Sequence, residues 1–363
     1  MRICFLASGL NAQISSNADL DSLLAKTNLP YEIEVLNCLQ KWFNQTPVCF
    51  ATSGTTGTAK TFCFEHWQVK ESAKASATAF GLSKQTKFLL CMQTQFVGAA
   101  MLVYRAAFLD AELHVLPAAK NPLLNLPLNH GFQFVSLVPY QLNHILACEA
   151  STEKLKAFDT ILIGGAALSP AHVQAIQSHQ LHAFHSYGMT ETLSHIAIKN
   201  LLDESSFHCL PGVKIHLNEA QCLVIETPWN TEPIVTNDLA KINQDGSFEI
   251  HGRLDFQINS GGIKFNPESI EQAISNILLE HKFEAAPFII GWRKHEALGQ
   301  EIVLITEGKK LAEPVFLMLC DALKNKFHPY AYPKDQIAVH AFARNENGKI
   351  KRLETIETAH NQT

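Results

Sequence analysis

Positive charge is in short supply. Lys and Arg number 29 against 34 Asp and Glu in 363 residues, a net charge of −5. Such a chain has no electrostatic footprint for nucleic acid or an anionic membrane, so any anion it binds must be held locally. Charged residues are only 17% and hydrophobic residues 47%, which excludes disorder and low complexity. No C-x-x-C pair occurs among the nine scattered cysteines. Their distribution argues against a disulfide framework or a thiolate zinc site and suits a reducing cytoplasm. No run reaches the ~18 uninterrupted apolar residues of a membrane span; the best candidate, Gly98 to Leu109, is broken by Arg105. Arg2 followed by the apolar run Ile3 to Leu10 is close to the minimum for a signal-peptide core and reads instead as a buried first strand. No membrane insertion, nucleic-acid partner or internal repeat is expected.

At roughly 150 residues per domain the length predicts two or three domains. Short β-rich runs alternate with helical patterns, which predicts an α/β architecture with a largely parallel sheet. Strands are expected at 47–52, 88–92, 112–117, 132–138, 160–163 and 182–187, and helices at 65–80, ended by Gly81, and 171–179 behind Pro170. Between 205 and 252 short strands and turn signals such as Asp245-Gly246 mark a β-subdomain. After Arg253 comes a compact α+β stretch, with helices at 268–279 and 312–326 and strands at 287–292, 301–307 and 336–342. The expected organisation is a large N-terminal domain, 1–254, with layered sheets and the β-subdomain, and a small mobile α+β domain, 255–363.

The strongest local signal is Thr52-Ser53-Gly54-Thr55-Thr56-Gly57-Thr58-Ala59-Lys60, directly after a buried strand. Successive backbone N–H groups in such a loop form an anion-binding concavity, and hydroxyls and a lysine add donors for phosphate oxygens. It is not a Walker loop: two residues, not four, separate Gly54 from Gly57, and Lys60 lies three further on. At Tyr187-Gly188-Met189-Thr190-Glu191-Thr192 a carboxylate is flanked by hydroxyls. One carboxylate beside phosphates is how Mg²⁺ is held; a helix N-terminal charge is the alternative. His179, His182 and His185 invite a metal reading, but residues three apart on a strand point to opposite faces and do not converge on one ion.

These two segments, with Gly164-Gly165-Ala166, Thr236-Asn237-Asp238, Gly252-Arg253-Leu254-Asp255 and Asn347-Gly348-Lys349, run in order from about Pro47 to Arg352. In that order and spacing the chain resembles the acyl-adenylate-forming superfamily, which includes acyl-CoA synthetases, luciferases and peptide-synthetase adenylation domains. The resemblance implies ATP, CoA and a small-molecule carboxylic acid as substrates, with Mg²⁺. It implies that the 52–60 loop wraps the β- and γ-phosphates and that Gly165, Ala166 and Tyr187 line the adenine site. Gly188 and Met189 would contact ATP in the same turn, and Gly188 the acyl group too. Thr190 would touch the α-phosphate, Glu191 hold magnesium, Asp238 accept from the ribose hydroxyls, and Arg253 reach ribose and phosphate. Asp255 matches the hinge. Lys349 matches the lysine that bridges carboxylate and α-phosphate during adenylation; by itself it reads as an exposed lysine in an Asn-Gly turn.

Three further stretches resemble one branch, the o-succinylbenzoate–CoA ligases of menaquinone biosynthesis, particularly the short forms: Met101 to Ala106, Val135 to Leu142, and Asn259 to Lys264 followed by Pro267-Glu268. o-Succinylbenzoate has two carboxylates, one activated and one held, and an arginine offers a bidentate grip on the second. Arg105 suits that task, or else snorkels or pairs with Asp110 or Glu112. Gly261 and Gly262 would flank a pantetheine channel and Lys264 meet a CoA phosphate, unless Lys264 is simply solvated. The chain departs from the family in having only about 46 residues before the phosphate loop, Ala59 for a proline, Asn237 for a glycine, and Ala343 where proline is common. Another aromatic or fatty acid as substrate, and a non-catalytic nucleotide-binding homologue, are the rival readings.

Overall fold

The computed structural model describes residues 1–51, 60–283, 286–344 and 350–361. It opens with β1 (Arg2–Phe5) and β2 (Asn11–Gln13). The single strand expected through Leu10 is therefore a hairpin: Phe5 C=O accepts from Gly9 N–H at 2.9 Å and the chain returns antiparallel. Ser16 and Asp19 then form a capping box for α1 (Asn17–Leu24), and Pro30 starts α2 (Pro30–Phe43). β3 (Val48–Ala51) and β4 (Thr61–Phe64) pair as a separate ribbon on either side of the Ser/Thr/Gly run. Next come α3 (His66–Phe80), β5 (Lys87–Leu90), α4 (Val97–Phe108) and β6 (Glu112–Val115). β7 (Phe134–Leu137), α5 (Pro139–Leu146), α6 (Glu149–Leu155), β8 (Thr160–Ile163), α7 (Pro170–Ser178), β9 (Ala183–Met189), β10 (Ser194–Asn200) and β11 (His208–Cys209) follow.

These strands form a nine-stranded sheet in the order β11-β10-β9-β8-β7-β5-β6-β1-β2. Its centre, β9 to β1, is parallel and its edges are antiparallel. Central strands such as Thr160–Ile163 are continuous apolar runs because helices cover both faces. The order reverses at β5, which has β6 on one side and β7 on the other, so the ligand crevice is expected outside the carboxyl ends of the strands. α4 is apolar on nearly every side and is buried from Ala99 to Ala106, as a helix without a solvated face must be.

A four-stranded antiparallel sheet of β12 (Lys214–Leu217), β13 (Cys222–Glu226), β14 (Ile234–Ile242) and β15 (Phe248–Arg253) packs beside it. A 3-10 turn, Leu254–Phe256, leads on. β16 (Ile258–Ser260), β17 (Ile263–Phe265), α8 (Pro267–Glu280), β18 (Phe288–His295), β19 (Gly299–Glu307), α9 (Glu313–Lys324), β20 (Gln336–Val339) and α10 (Arg352–His360) complete the described chain. Their sheet shares no strand with the others and has cores of its own on both faces.

The cysteines need one correction. Cys49 and Cys63 stand opposite each other in the β3–β4 register and form a disulfide, while the other seven are free. No framework results, but the pairing was hidden because a hairpin register over a 14-residue separation is not written in cysteine spacing. Protein isolated without reductant and then denatured is expected to titrate seven thiols, and nine after reduction. Nine in both states would show that Cys49 and Cys63 remain reduced.

Candidate active site

The carboxyl ends of β8 and β9 lie side by side, which brings Gly165, Ala166, Tyr187, Gly188 and Met189 together. Ser186 Oγ donates to Ile163 C=O (3.1 Å), and His185 Nε2 lies 3.2 Å from Ala166 C=O. Burial pushes His185 down to about 4, so it is neutral and donates to that carbonyl. Tyr187 reaches across to the β-subdomain, where its hydroxyl donates to Asp238 Oδ2 at 2.5 Å. Asp238 pairs with Arg253 across β14 and β15, and Arg253 Nη1 donates to Oδ1 at 3.1 Å. Burial and then the Asp238 charge raise the Tyr187 phenol well above its ordinary value. Both carboxylate oxygens of this buried acid are thus engaged, as a buried charge requires. Arg253 also forks onto Asp255 (Nε to Oδ1 2.9 Å, Nη2 to Oδ2 2.8 Å), and this bonding raises its pKa above the ordinary arginine value. One guanidinium therefore joins the expected ribose acceptor to the expected hinge.

Thr190 and Glu191 sit in the four-residue turn from β9 to β10. Leu193 and Ser194 there take positive φ values of 51° and 85°, a backbone cost that side chains must over-determine. Trp229 Nε1 donates to Thr192 C=O (3.0 Å), Asn230 Nδ2 to Glu191 C=O (3.0 Å), and Thr192 Oγ1 to Ser194 C=O (2.7 Å). The turn is pinned through its backbone, and among the described residues the Glu191 carboxylate makes no hydrogen bond or ion pair. A half-buried, unengaged single carboxylate fits the way Mg²⁺ is held beside phosphates.

Behind this turn lies Arg105, 1% exposed. Its Nη2 donates to His195 Nδ1 (3.2 Å) and Ser194 Oγ (3.4 Å), and its Nε has no partner. Neither Asp110 nor Glu112 pairs with it: Asp110 is taken by Lys84 and the Met1 ammonium, and Glu112 by His114 and Arg2. Burial pulls the guanidinium down to about 9, so it remains a cation at neutral pH without a carboxylate among the described residues. β10 runs so close to β9 that a Cβ on Gly188 would lie 2.2 Å from Ser194 C=O and 2.5 Å from His195 Cα. Gly188 is what allows the backbone of Ser194 and His195, the two partners of Arg105, to sit directly against β9. Ser194 and His195 are not legible as site residues, since nothing in their local pattern distinguishes them from ordinary strand residues, and His185 stands out in sequence only through the His179/His182/His185 spacing, not as a neighbour of Ala166.

His66, His114, His130, His172, His185 and His195 are all held below the ordinary histidine value, by burial first in each case. The unfolded chain therefore binds more protons below about pH 6.5, and stability is lost as pH falls from there through the folded-state values. Each such group contributes up to about 1.4 kcal/mol per pH unit. The urea midpoint at pH 5 is expected to lie clearly below that at pH 7.5; equal midpoints would contradict these burials.

Thr52, Ser53, Gly54, Thr55, Thr56 and Gly57 lie outside the described residues, as does Lys349. Lys60 is exposed immediately before β4. Arg344 and Ile350, on either side of Lys349's segment, pair antiparallel. Gly261 and Gly262 form the two-residue turn between β16 and β17, with φ values of 61° and 81°, the left-handed pair a tight hairpin needs. A Cβ on Gly261 would meet the Tyr330 ring at 2.7 Å. Lys264 is exposed on β17, opposite Asn259.

Residues 43–228, just over half of the chain, match the family described as AMP-binding enzyme. The chain belongs to that family. Curated relatives include 2-succinylbenzoate–CoA ligases of Lactococcus lactis, 25% identical over 85% of this chain and 70% of the relative, and of Haemophilus influenzae, 27% identical over 83% and 69%. An acyl-CoA synthetase (AMP-forming)/AMP-acid ligase II-like protein from Dyadobacter fermentans is 30% identical, with a TM-score of 0.62 over 94% of this chain and 98% of that one. The fold is also that of the o-succinylbenzoate CoA synthetase from Bacillus subtilis, solved with ATP and magnesium ion (TM-score 0.70, 19% identity, 85% and 69% covered). Among the described residues no helix is long and apolar enough to cross a membrane.

Proposed function

We propose that this chain is an AMP-forming acid–CoA ligase of the cytoplasm whose acid is o-succinylbenzoate, on the route to menaquinone. The observation that carries the choice of acid is Arg105, a fully buried cation with an unpartnered donor and no counter-ion among the described residues. A charge left in that condition costs several kcal/mol, a cost a binding site recovers when an anion arrives. A dicarboxylate supplies that anion while its other carboxylate reacts. The relatives named as 2-succinylbenzoate–CoA ligases support the same acid.

In this reading the carboxylate attacks the α-phosphorus of ATP and pyrophosphate leaves; the CoA thiolate then attacks the acyl carbon and AMP leaves. Glu191 would hold Mg²⁺, which when bound with ATP would offset the charge of the phosphates. The chain's own residues orient the reactants. His185 and Tyr187 shape the adenine side, Asp238 exchanges its present partners for ribose hydroxyls, Thr190 meets the α-phosphate, and the 52–60 loop holds the pyrophosphate portion. Positioning of this kind is worth much of such a barrier. Residues 1–254 and 255–363 form two bodies turning about Asp255, the second bringing Lys349 for adenylation and Gly261, Gly262 and Lys264 for CoA.

Isotope exchange between pyrophosphate and ATP tests the first half-reaction without CoA. Exchange that needs both Mg²⁺ and o-succinylbenzoate, with a thioester formed when CoA is added, is the expected result. Exchange without any thioester would leave an adenylating enzyme that is not a CoA ligase.

A further inference from the structure

We infer that His195 is a positioning residue for acid recognition: it aims the Arg105 guanidinium without neutralising it. This rests on the reading above, in which Arg105 grips the unreacted carboxylate. An arginine can only donate, so the 3.2 Å contact makes His195 Nδ1 the acceptor. The proton then sits on Nε2, 2.7 Å from Ser76 Oγ on α3, which fixes the tautomer and the ring. Burial and the neighbouring cation hold His195 far below its ordinary value, so the ring stays uncharged. An aspartate or glutamate in its place would orient Arg105 equally well but cancel its charge, and the pull on an incoming carboxylate would go with it. His195 and Ser194 engage only Nη2, and Nε has no partner, so the charge is left uncompensated. His195 is 4% exposed, and its ring packs edge-on against Phe80, with centroids 6.1 Å apart, which restrains it further.

The test measures KM for o-succinylbenzoate, KM for ATP and kcat in His195→Ala, His195→Gln, His195→Asp, Arg105→Met and the double variant Arg105→Met/His195→Ala. Thermal melts establish that each variant folds, and Ser76→Ala probes the same ring without touching it. His195→Ala is expected to raise KM for the acid about tenfold with KM for ATP unchanged, as loss of a ground-state contact predicts. His195→Gln, which keeps a neutral acceptor, should restore most of that loss, and His195→Asp should be the worst of the three. Ser76→Ala should shift KM for the acid in the same direction by a smaller factor. The double variant should be no worse than Arg105→Met alone, because His195 acts through Arg105. If Arg105→Met raises KM but His195→Ala does not, or if Gln fares no better than Ala, the positioning role is wrong. If Arg105→Met leaves KM unchanged, the underlying reading of the acid fails and this inference fails with it.

Discussion

Lys349→Ala is expected to lower acid-dependent pyrophosphate release by about a hundredfold or more, while acyl-AMP supplied with CoA is still converted to thioester. The asymmetry follows from charge. In adenylation a carboxylate attacks a phosphate, anion on anion, and a cation placed where the two meet stabilises the transition state more than the separated reactants. In thioester formation the attacked carbon is already activated and no carboxylate approaches a phosphate, so the repulsion that this cation offsets does not arise. Equal loss in both half-reactions would show that Lys349 does not have this role.

Arg105→Met is expected to raise KM for the dicarboxylate roughly thirtyfold or more, the range of about 2 kcal/mol or above for truncating a buried charge-assisted contact. KM for ATP should be largely spared, since Tyr187, Asp238 and Arg253 bond to one another and none of them is a hydrogen-bond partner of Arg105 among the described residues. Stability should move the opposite way. The wild-type guanidinium is buried without a counter-ion among the described residues and with Nε unpartnered, and replacing such a charge with an apolar side chain of similar volume is neutral or favourable. A melting temperature that holds or rises together with a weaker acid KM marks a residue kept for binding. A large fall in melting temperature with unchanged KM would mark Arg105 as structural.

Much of the fold was legible because parallel strands are continuous apolar runs and helices carry strong end signals. Thr160–Ile163 and Phe134–Leu137 are nearly pure examples, and Pro170 and Gly81 mark helix ends where the sequence predicts them. The helices before the phosphate loop were not anticipated, although Asn17–Leu24 follows a capping box and Pro30–Phe43 begins with a proline. Likewise β4 and the disulfide of Cys49 with Cys63 depend on a hairpin register that cysteine spacing does not carry. At the site, Asp238, Arg253 and Tyr187 belong to recognisable motifs and do meet. His195 and Ser194 gain their meaning only when β10 folds back on β9 and faces α4, a tertiary event. The bridge from Arg253 to Asp255 is local in sequence, yet its link to Asp238 needs the β14–β15 register.

The most direct test of the account compares pyrophosphate release, with MgATP and CoA, for o-succinylbenzoate, its derivative esterified at the carboxylate that is not activated, benzoate, 4-coumarate and medium-chain fatty acids. Turnover confined to the intact dicarboxylate is the predicted result, because only that acid brings the second anion Arg105 needs. Equal turnover with the ester or with a monocarboxylate would keep the adenylating chemistry but contradict the assignment of Arg105 and of the acid.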